Sequence, residues 1–314
     1  MKKYFLLSLL LLPAMALFAK TPVWQGIFGN RKTIAVCAPG LPGDPGKVKL
    51  GIKLLKSAGY RVKVMPNARR NEDNCKRVDR KLRFADFMQA YLDPEVDAIF
   101  CVRGGSGSAE VAAMLDWEKL RSRKIPVVGF SDITALQSVM AKNGVGHIFS
   151  GPSLTQLTQC NAEAVAWFAR ALSGADQKPV KLQSLRGGSC SGYPAGGLIS
   201  LYRWAYCSGN APSSTGKIIF LESPLRNVLH KTAKDLEVLR EKGCFDRCAA
   251  VVFGDVKGEP ELVDRVLRQF ASKVKCPVFR NMPYGHQSSN FLIDFDRKVT
   301  ISADGVLQFE NRRK

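Results

Sequence analysis

The sequence predicts an α/β protein. An N-terminal domain with a doubly wound, mainly parallel sheet is followed by a C-terminal α/β domain with mixed and antiparallel strands. Three observations carry this expectation. Between residues 32 and 150, short apolar runs bounded by glycine and proline alternate with helix-length amphipathic stretches, the pattern of parallel strands joined by crossover helices. A polar, glycine-rich stretch at 174–190, GADQKPVKLQSLRGGSC, interrupts the pattern. Beyond it the alternation resumes, then gives way to NFLIDFDRKVTISADGVLQFE, which reads as antiparallel strands turning at Asp304-Gly305.

The elements follow in order. KTIAVCAPG is a strand closed by a Gly/Pro turn, and KVKLGIKLLKSAGY is a helix stopped at Gly59. RVKVMP is a second strand, and VDRKLRFADFMQAYLD a second helix. VDAIFCVRGG is a strand running into glycines, with one helix expected over SAEVAAMLDWEKLRS. IPVVGF and SDITALQSVMAKNG complete the strand–helix series. After the 174–190 linker, GKIIFLES and AAVVFGDV read as strands, with helices over LRNVLHKTAKDLEVLREKG and PELVDRVLRQFASKV. The expected organisation is therefore a signal segment at 1–19, an N-terminal domain at 20–173, a linker at 174–190 and a C-terminal domain at 191–314.

The first twenty residues read as targeting rather than fold. Lys2 and Lys3 precede the apolar Leu6 to Leu12, and Ala14-Met15-Ala16 or Ala19 offers a cleavage site. The apolar run is short of the roughly 20 residues a membrane span needs. An exported protein, periplasmic or in the cell envelope and without a membrane span after cleavage, is the expectation. Its nine cysteines are an odd number, so at least one thiol stays unpaired in a monomer. Cys37 and Cys101 fall in apolar runs, as buried cysteines do. Cys190, Cys207, Cys244 and Cys248 flank loops where an oxidising compartment permits disulfides, with no pairing specified. Cys244 and Cys248 lack the second pair or the histidine a zinc site needs, so no metal is expected. The net charge of +20 favours anionic partners. The densest basic run, RRNEDNCKRVDRKLR at 69–83, is broken by acids and carries no aromatic residue. It reads as a solvated helix face and not a base-stacking surface, and no nucleic-acid partner is expected.

Chemistry concentrates where strands end. Ser131, in PVVGFSDITALQ, sits between a strand and a helix. It either starts that helix, as serine commonly does, or stands on a sharp turn as a nucleophile. A serine nucleophile needs a base, and the chain has three histidines. His230 lies mid-helix and His147 enters an apolar run, whereas His286 lies in the Pro/Gly loop NMPYGHQSSN, the favoured place for a catalytic group. Glu222 closes the strand KIIFLE, where it either caps the next helix or orients the histidine. The glycines of RGGSGS let backbone amides approach a substrate. As a dinucleotide fingerprint that turn fails, because Glu110 stands where a third small residue is required.

Taken together, VDAIFCVRGGSGSAEVAAMLDW, PVVGFSDITALQ, HIFSGPSLTQL, IIFLES and MPYGH, in this order, resemble the LD-carboxypeptidase family of serine peptidases, which also includes the microcin C immunity peptidases. The resemblance runs from about Lys32 to Phe309. It implies Ser131 as nucleophile, His286 as base and Glu222 as its partner, with the Gly105 and Asp132 amides as the oxyanion hole. It implies removal of the terminal D-alanine from murein tetrapeptides without a cofactor, anionic murein stem peptides as partners, and a homodimer. Arg103, Gly104 and Ser106 are then the expected substrate contacts. The sequence departs from the family pattern at Ser106, where an aromatic residue is frequent, at Leu198 in place of an Asn, and at Ser223 in place of an Asp. These departures bear on specificity and leave the triad intact. Two other readings remain open: a peptidase of the same family acting on peptidyl-nucleotide antibiotics, and a non-catalytic protein that binds cell-wall peptides.

Overall fold

The structure is a computed structural model that describes residues 33–69, 78–224 and 229–310. The targeting-like segment, Cys75 and residues 70–77 of the basic run lie outside the described residues. The first sheet holds β1 (Thr33–Cys37), β2 (Arg61–Val64), β3 (Ala98–Cys101), β4 (Pro126–Gly129) and β5 (His147–Ser150). Their spatial order is β2-β1-β3-β4-β5, all parallel. These strands are short, and β1, β3 and β4 are buried throughout, as sheets covered on both faces require. Order reverses between β1 and β3. The chain leaves their carboxyl ends in opposite directions there and opens a crevice.

The crossover helices begin and end where local chemistry dictates. Helix α1 (Pro45–Ser57) opens with Pro at its first position and with the Asp44 carboxylate accepting from Lys47 N–H at 2.9 Å. Asp79 caps α2 (Arg80–Leu92) in the same way. The single helix expected over 108–122 is two, α3 (Ser108–Ala112) and α4 (Trp117–Leu120). The break falls where Asp116 leaves helical geometry and caps α4 through Lys119 N–H. Helices α5 (Ile133–Lys142), α6 (Leu154–Leu157) and α7 (Ala162–Ser173) complete this half.

The second sheet has eight strands: β6 (Val180–Lys181), β7 (Gln183–Arg186), β8 (Cys190–Leu198), β9 (Lys217–Ser223), β10 (Ala250–Val256), β11 (Val278–Arg280), β13 (Val299–Ile301) and β14 (Val306–Phe309). Their order is β6-β14-β13-β8-β9-β10-β11-β7. The centre, β8 to β11, is parallel and the flanks are antiparallel, so the sheet is mixed as expected. Helices α8 (Ile199–Cys207), α9 (Leu229–Glu241) and α10 (Pro260–Lys273) accompany it. The 174–190 segment supplies β6 and β7, at opposite edges of this sheet, where a linker was expected. Its Val180 and Leu182 are two residues apart and both buried, the spacing of a one-sided strand. Buried Arg297 holds its start, donating to Ala175 O at 3.0 Å and to the Gln177 side chain at 3.3 Å.

Strand alternation fixes how the halves meet. On β9 and β10, Ile218, Phe220, Ala250 and Val252 belong to the core continuous with the first sheet. Ile219, Leu221, Val251 and Phe253 point the other way, into a core shared with α8, α9 and α10. Glu222 has the parity of Ile218 and Phe220, so it faces the first half, whereas Ser223 reaches Thr232 of α9 at 2.9 Å. A further strand, β12 (Ile293–Asp294), returns from the second half and pairs antiparallel with β5 of the first sheet. It is fastened there by Trp167 Nε1, which donates to Leu292 O at 2.9 Å, and by His147, whose Nε2 lies 2.6 Å from Asp294 Oδ1.

Candidate active site

Ser131 has φ 63°, in the left-handed region that a non-glycine residue enters at a cost of about 1–3 kcal/mol. Neighbouring residues enforce that geometry. Gly129 must be glycine, because a Cβ there would lie 2.5 Å from the Ile133 side chain. Asp132 is in the N-cap position of α5 yet makes no capping bond with its own helix. Its Oδ2 accepts from Ser108 N–H at 2.9 Å, and Ser108 Oγ donates back to Asp132 O. Asp132 therefore clasps the nucleophile turn to the glycine turn after β3. Burial pushes its carboxyl above the usual range, opposed by the Ser108 bonds. Two residues on, Thr134 Oγ1 accepts from Leu198 N–H at 3.0 Å, tying α5 to the end of β8 in the second half. The three polar residues of S-D-x-T thus hold different attachments.

The glycine turn packs directly beneath Ser131. A Cβ on Gly104 would fall 2.7 Å from Ser131 Cβ and 2.8 Å from Asp132 N. Gly105 has φ 97° and lies against Leu41. Leu41 N–H donates to Gly104 O at 2.9 Å, so the loop after β1 braces the turn. Arg83 completes the brace from α2. It is 2% exposed and its guanidinium donates to Val78 O, Pro39 O, Gly107 O and Glu110 Oε2. The solvated-face reading of the basic run fails at this residue, whose charge is spent inside the fold. Among the described residues, neither Gly105 nor Asp132 donates its N–H to a backbone carbonyl.

His286 comes from the loop after β11. Asp255 N–H on β10 donates to Tyr284 O at 2.7 Å, and Gly254 allows that approach, since a Cβ there would stand 2.2 Å from the same oxygen. Gly285, at φ 130°, donates to buried Asn290, whose amide reaches Gln156 in the first half at 3.1 Å. The imidazole so placed lies against Phe130, ring centres 4.7 Å apart. Its Nε2 is 3.1 Å from Ser131 Oγ, and its Nδ1 is 2.8 Å from Glu222 Oε2. Glu222 is fully buried, and its second oxygen has no hydrogen-bond partner among the described residues. Burial raises its carboxyl above the usual range, while the bond from His286 pulls it down. The helix-capping alternative for Glu222 falls on residues 225–228, which lie outside the described residues. His230 is exposed on α9, and His147 serves the β5–β12 junction.

These groups open onto a cleft of about 490 Å³ lined by Arg103, Gly104, Gly105, Phe130, Ser131 and His286 among others. Ser106 is exposed and stands outside that lining, so it is not a wall of the cleft. Lys47 and Asp44, from the start of α1, line it as well; sequence reasoning passed over both. Gln156 and Gln159 add neutral polar groups. The cleft occupies the β1/β3 switch point. Among the described residues, no group of three or more His, Cys, Asp or Glu side chains is placed to hold a metal ion. No helix of the described residues is long and apolar enough to cross a membrane.

A serine on a strained strand–helix turn, hydrogen-bonded through histidine to a buried carboxylate, belongs to the class of serine-type hydrolases. The N-terminal domain of LD-carboxypeptidases matches residues 34–151 and their C-terminal domain matches residues 191–301. The chain belongs to the LD-carboxypeptidase family and is a serine-type carboxypeptidase. It is 25% identical over 286 residues to a probable murein peptide carboxypeptidase of Bacillus subtilis, covering 86% of this chain and 88% of that one. With the murein tetrapeptide carboxypeptidase of Pseudomonas aeruginosa it shares 26% over 229 residues, 66% of this chain and 73% of the other. Among solved structures, an MccF-like protein from Bacillus anthracis superposes with a TM-score of 0.81 at 20% identity, covering 91% of this chain and 99% of that one. The muramoyltetrapeptide carboxypeptidase of Oxalobacter formigenes gives 0.77 at 22%, covering 88% and 98%.

Proposed function

We propose that Ser131, His286 and Glu222 are the catalytic triad of a carboxypeptidase acting on short anionic peptides. The reading rests on one observation, the continuous path Ser131 Oγ–His286 Nε2, His286 Nδ1–Glu222 Oε2 at 3.1 and 2.8 Å. His286 takes the Ser131 proton as Oγ attacks the scissile carbonyl, and the buried Glu222 carboxylate holds the imidazole and stabilises its cation. The Gly105 and Asp132 amides receive the oxyanion, each such donor contributing about 10²–10³ in rate. The protonated imidazole returns its proton to the leaving amine, and water then releases the acyl group from Ser131. Arg103 and Lys47 on the cleft wall supply positive charge for substrate carboxylates. Murein tetrapeptides, which end in D-alanine, suit these features and agree with what the curated relatives are named for.

A second substrate class has an observation in its favour. Solved relatives of this fold include an MccF-like protein from Streptococcus pneumoniae in complex with AMP and MccF in complex with glutamyl sulfamoyl guanosine. A polar cleft with two cations suits a peptidyl nucleotide as well as a murein peptide. The test offers both to the purified protein and to Ser131→Ala, following products by mass. Loss of D-alanine from the tetrapeptide supports the murein reading, and cleavage of an aminoacyl sulfamoyl nucleoside alone supports the second. Undiminished turnover by Ser131→Ala overturns the triad. An exported homodimer is part of the same proposal, read out by signal processing and by mass in solution.

A further inference from the structure

The second core holds a group of cysteines that the hydrolytic site does not use. Cys244, Cys248 and Cys276 are all buried there. Cys248 lies two residues before β10 and Cys276 two residues before β11, and these are adjacent parallel strands in register at Val251 and Val278. The two thiols therefore lie at the entry points of neighbouring strands, inside one core, and each is the largest influence on the other's ionisation. Cys248 Sγ also donates to Phe245 O at 3.7 Å. We infer that Cys248 and Cys276 are a dithiol built to close into a disulfide by exchange with a disulfide-bearing oxidant.

The other cysteines contrast with this pair. Cys37 and Cys101 are register neighbours on β1 and β3 but wholly buried. Burial raises both thiols, which suppresses the reactive thiolate. Among the described thiols whose ionisation is shifted, Cys276 alone is lowered. Cys248 pulls it below the usual thiol range, against the effect of burial and with help from Arg186. Either sulfur can attack first with the same product, Cys276 for instance. Its thiolate attacks one sulfur of the oxidant disulfide and expels the other as a thiolate. Cys248 then loses its proton to solvent and attacks Cys276 in the mixed disulfide, releasing the second oxidant thiolate. Two protons and two electrons leave the protein, and the oxidant ends as two thiols. The bond encloses α10, and closing that loop restricts the unfolded chain.

Trypsin separates the relevant cysteines, since it cuts after Arg247, Lys257, Lys275 and Arg280. Reduced full-length protein would be exposed to oxidised glutathione, quenched in acid, alkylated unfolded and digested without reductant. The expected product is peptide 248–257 linked to peptide 276–280, lighter than the two free peptides by two hydrogens and separated by dithiothreitol. Cys248→Ser and Cys276→Ser should each leave the other thiol alkylated. Full alkylation of both peptides after oxidation overturns the assignment. So does a bond from Cys248 to Cys244, or from Cys276 to Cys190.

Discussion

Replacing Gly104 with alanine isolates what the glycine turn contributes. Gly104 is absent from the positive-φ positions, so alanine is compatible with its backbone and the perturbation is purely steric. The added Cβ would meet Ser131 Cβ at 2.7 Å, Asp132 N at 2.8 Å and Phe130 O at 2.8 Å. Carbon atoms in ordinary contact lie about 3.5–4.0 Å apart, so the turn and the Ser131 elbow must separate by roughly 1 Å. None of the three atoms belongs to a flexible side-chain end. Overpacking of this kind costs about 1–3 kcal/mol of stability, which leaves a folded protein to assay. A misplacement of about 1 Å costs on the order of 10² in rate. The expected outcome is a fall of about 10²-fold in kcat with little change in KM, and a matching drop in the rate at which a fluorophosphonate labels Ser131. Labelling needs no knowledge of the natural substrate. A Gly104→Ala protein that unfolds cooperatively and labels within twofold of wild type would refute the claim that this turn positions the nucleophile.

Three further outcomes are expected. Ser131→Gly and Ser131→Ala should both be inactive, with the glycine variant the more stable by about 1 kcal/mol because φ 63° suits it; equal denaturation midpoints would remove the strain. Glu222→Gln should lower kcat by up to about 10⁴-fold and move the acidic limb of the pH–rate profile, because burial has raised the carboxyl that must be ionised for catalysis. A carboxyl raised in the folded state favours folding while protonated. Wild type should therefore lose stability relative to Glu222→Gln as pH rises through the folded value, and pH-independent difference would contradict the burial effect. Arg83→Lys keeps the charge but cannot reach Val78 O, Pro39 O, Gly107 O and Glu110 together; a loss of about 3 kcal/mol in denaturant unfolding is expected.

Much of this was legible in the residues. The first half alternates strand and helix so regularly that β1 to β4 fall where apolar period and turn residues put them. His286 was separable from His147 and His230 by its loop, and Glu222 by its place at a strand end. What stayed hidden depends on contacts distant in sequence. Asp132 looks like a helix cap, and only the fold brings Ser108 to its carboxylate. Arg83 looked solvated because the run around it is charged, although it shares the α2 stripe of Phe87 and Ala90, both buried. Residues 174–190 looked like a linker because they are polar and glycine-rich, while the period of Val180 and Leu182 is a strand signal. Lys47 carries no local sign of facing a cleft, since loops after two different strands form that wall.

Strand β12 also sets a schedule. Synthesis runs from the amino end, so the first half can build Ser131 and its turn before the second exists. His286, and the strand that completes the β5 edge, arrive only with the last stretch of chain. Until Ile293 and Asp294 dock on Phe149 and Ser150, the β5 edge of the first sheet stays open. On the proposed triad, a copy that ends before His286 lacks the base for Ser131.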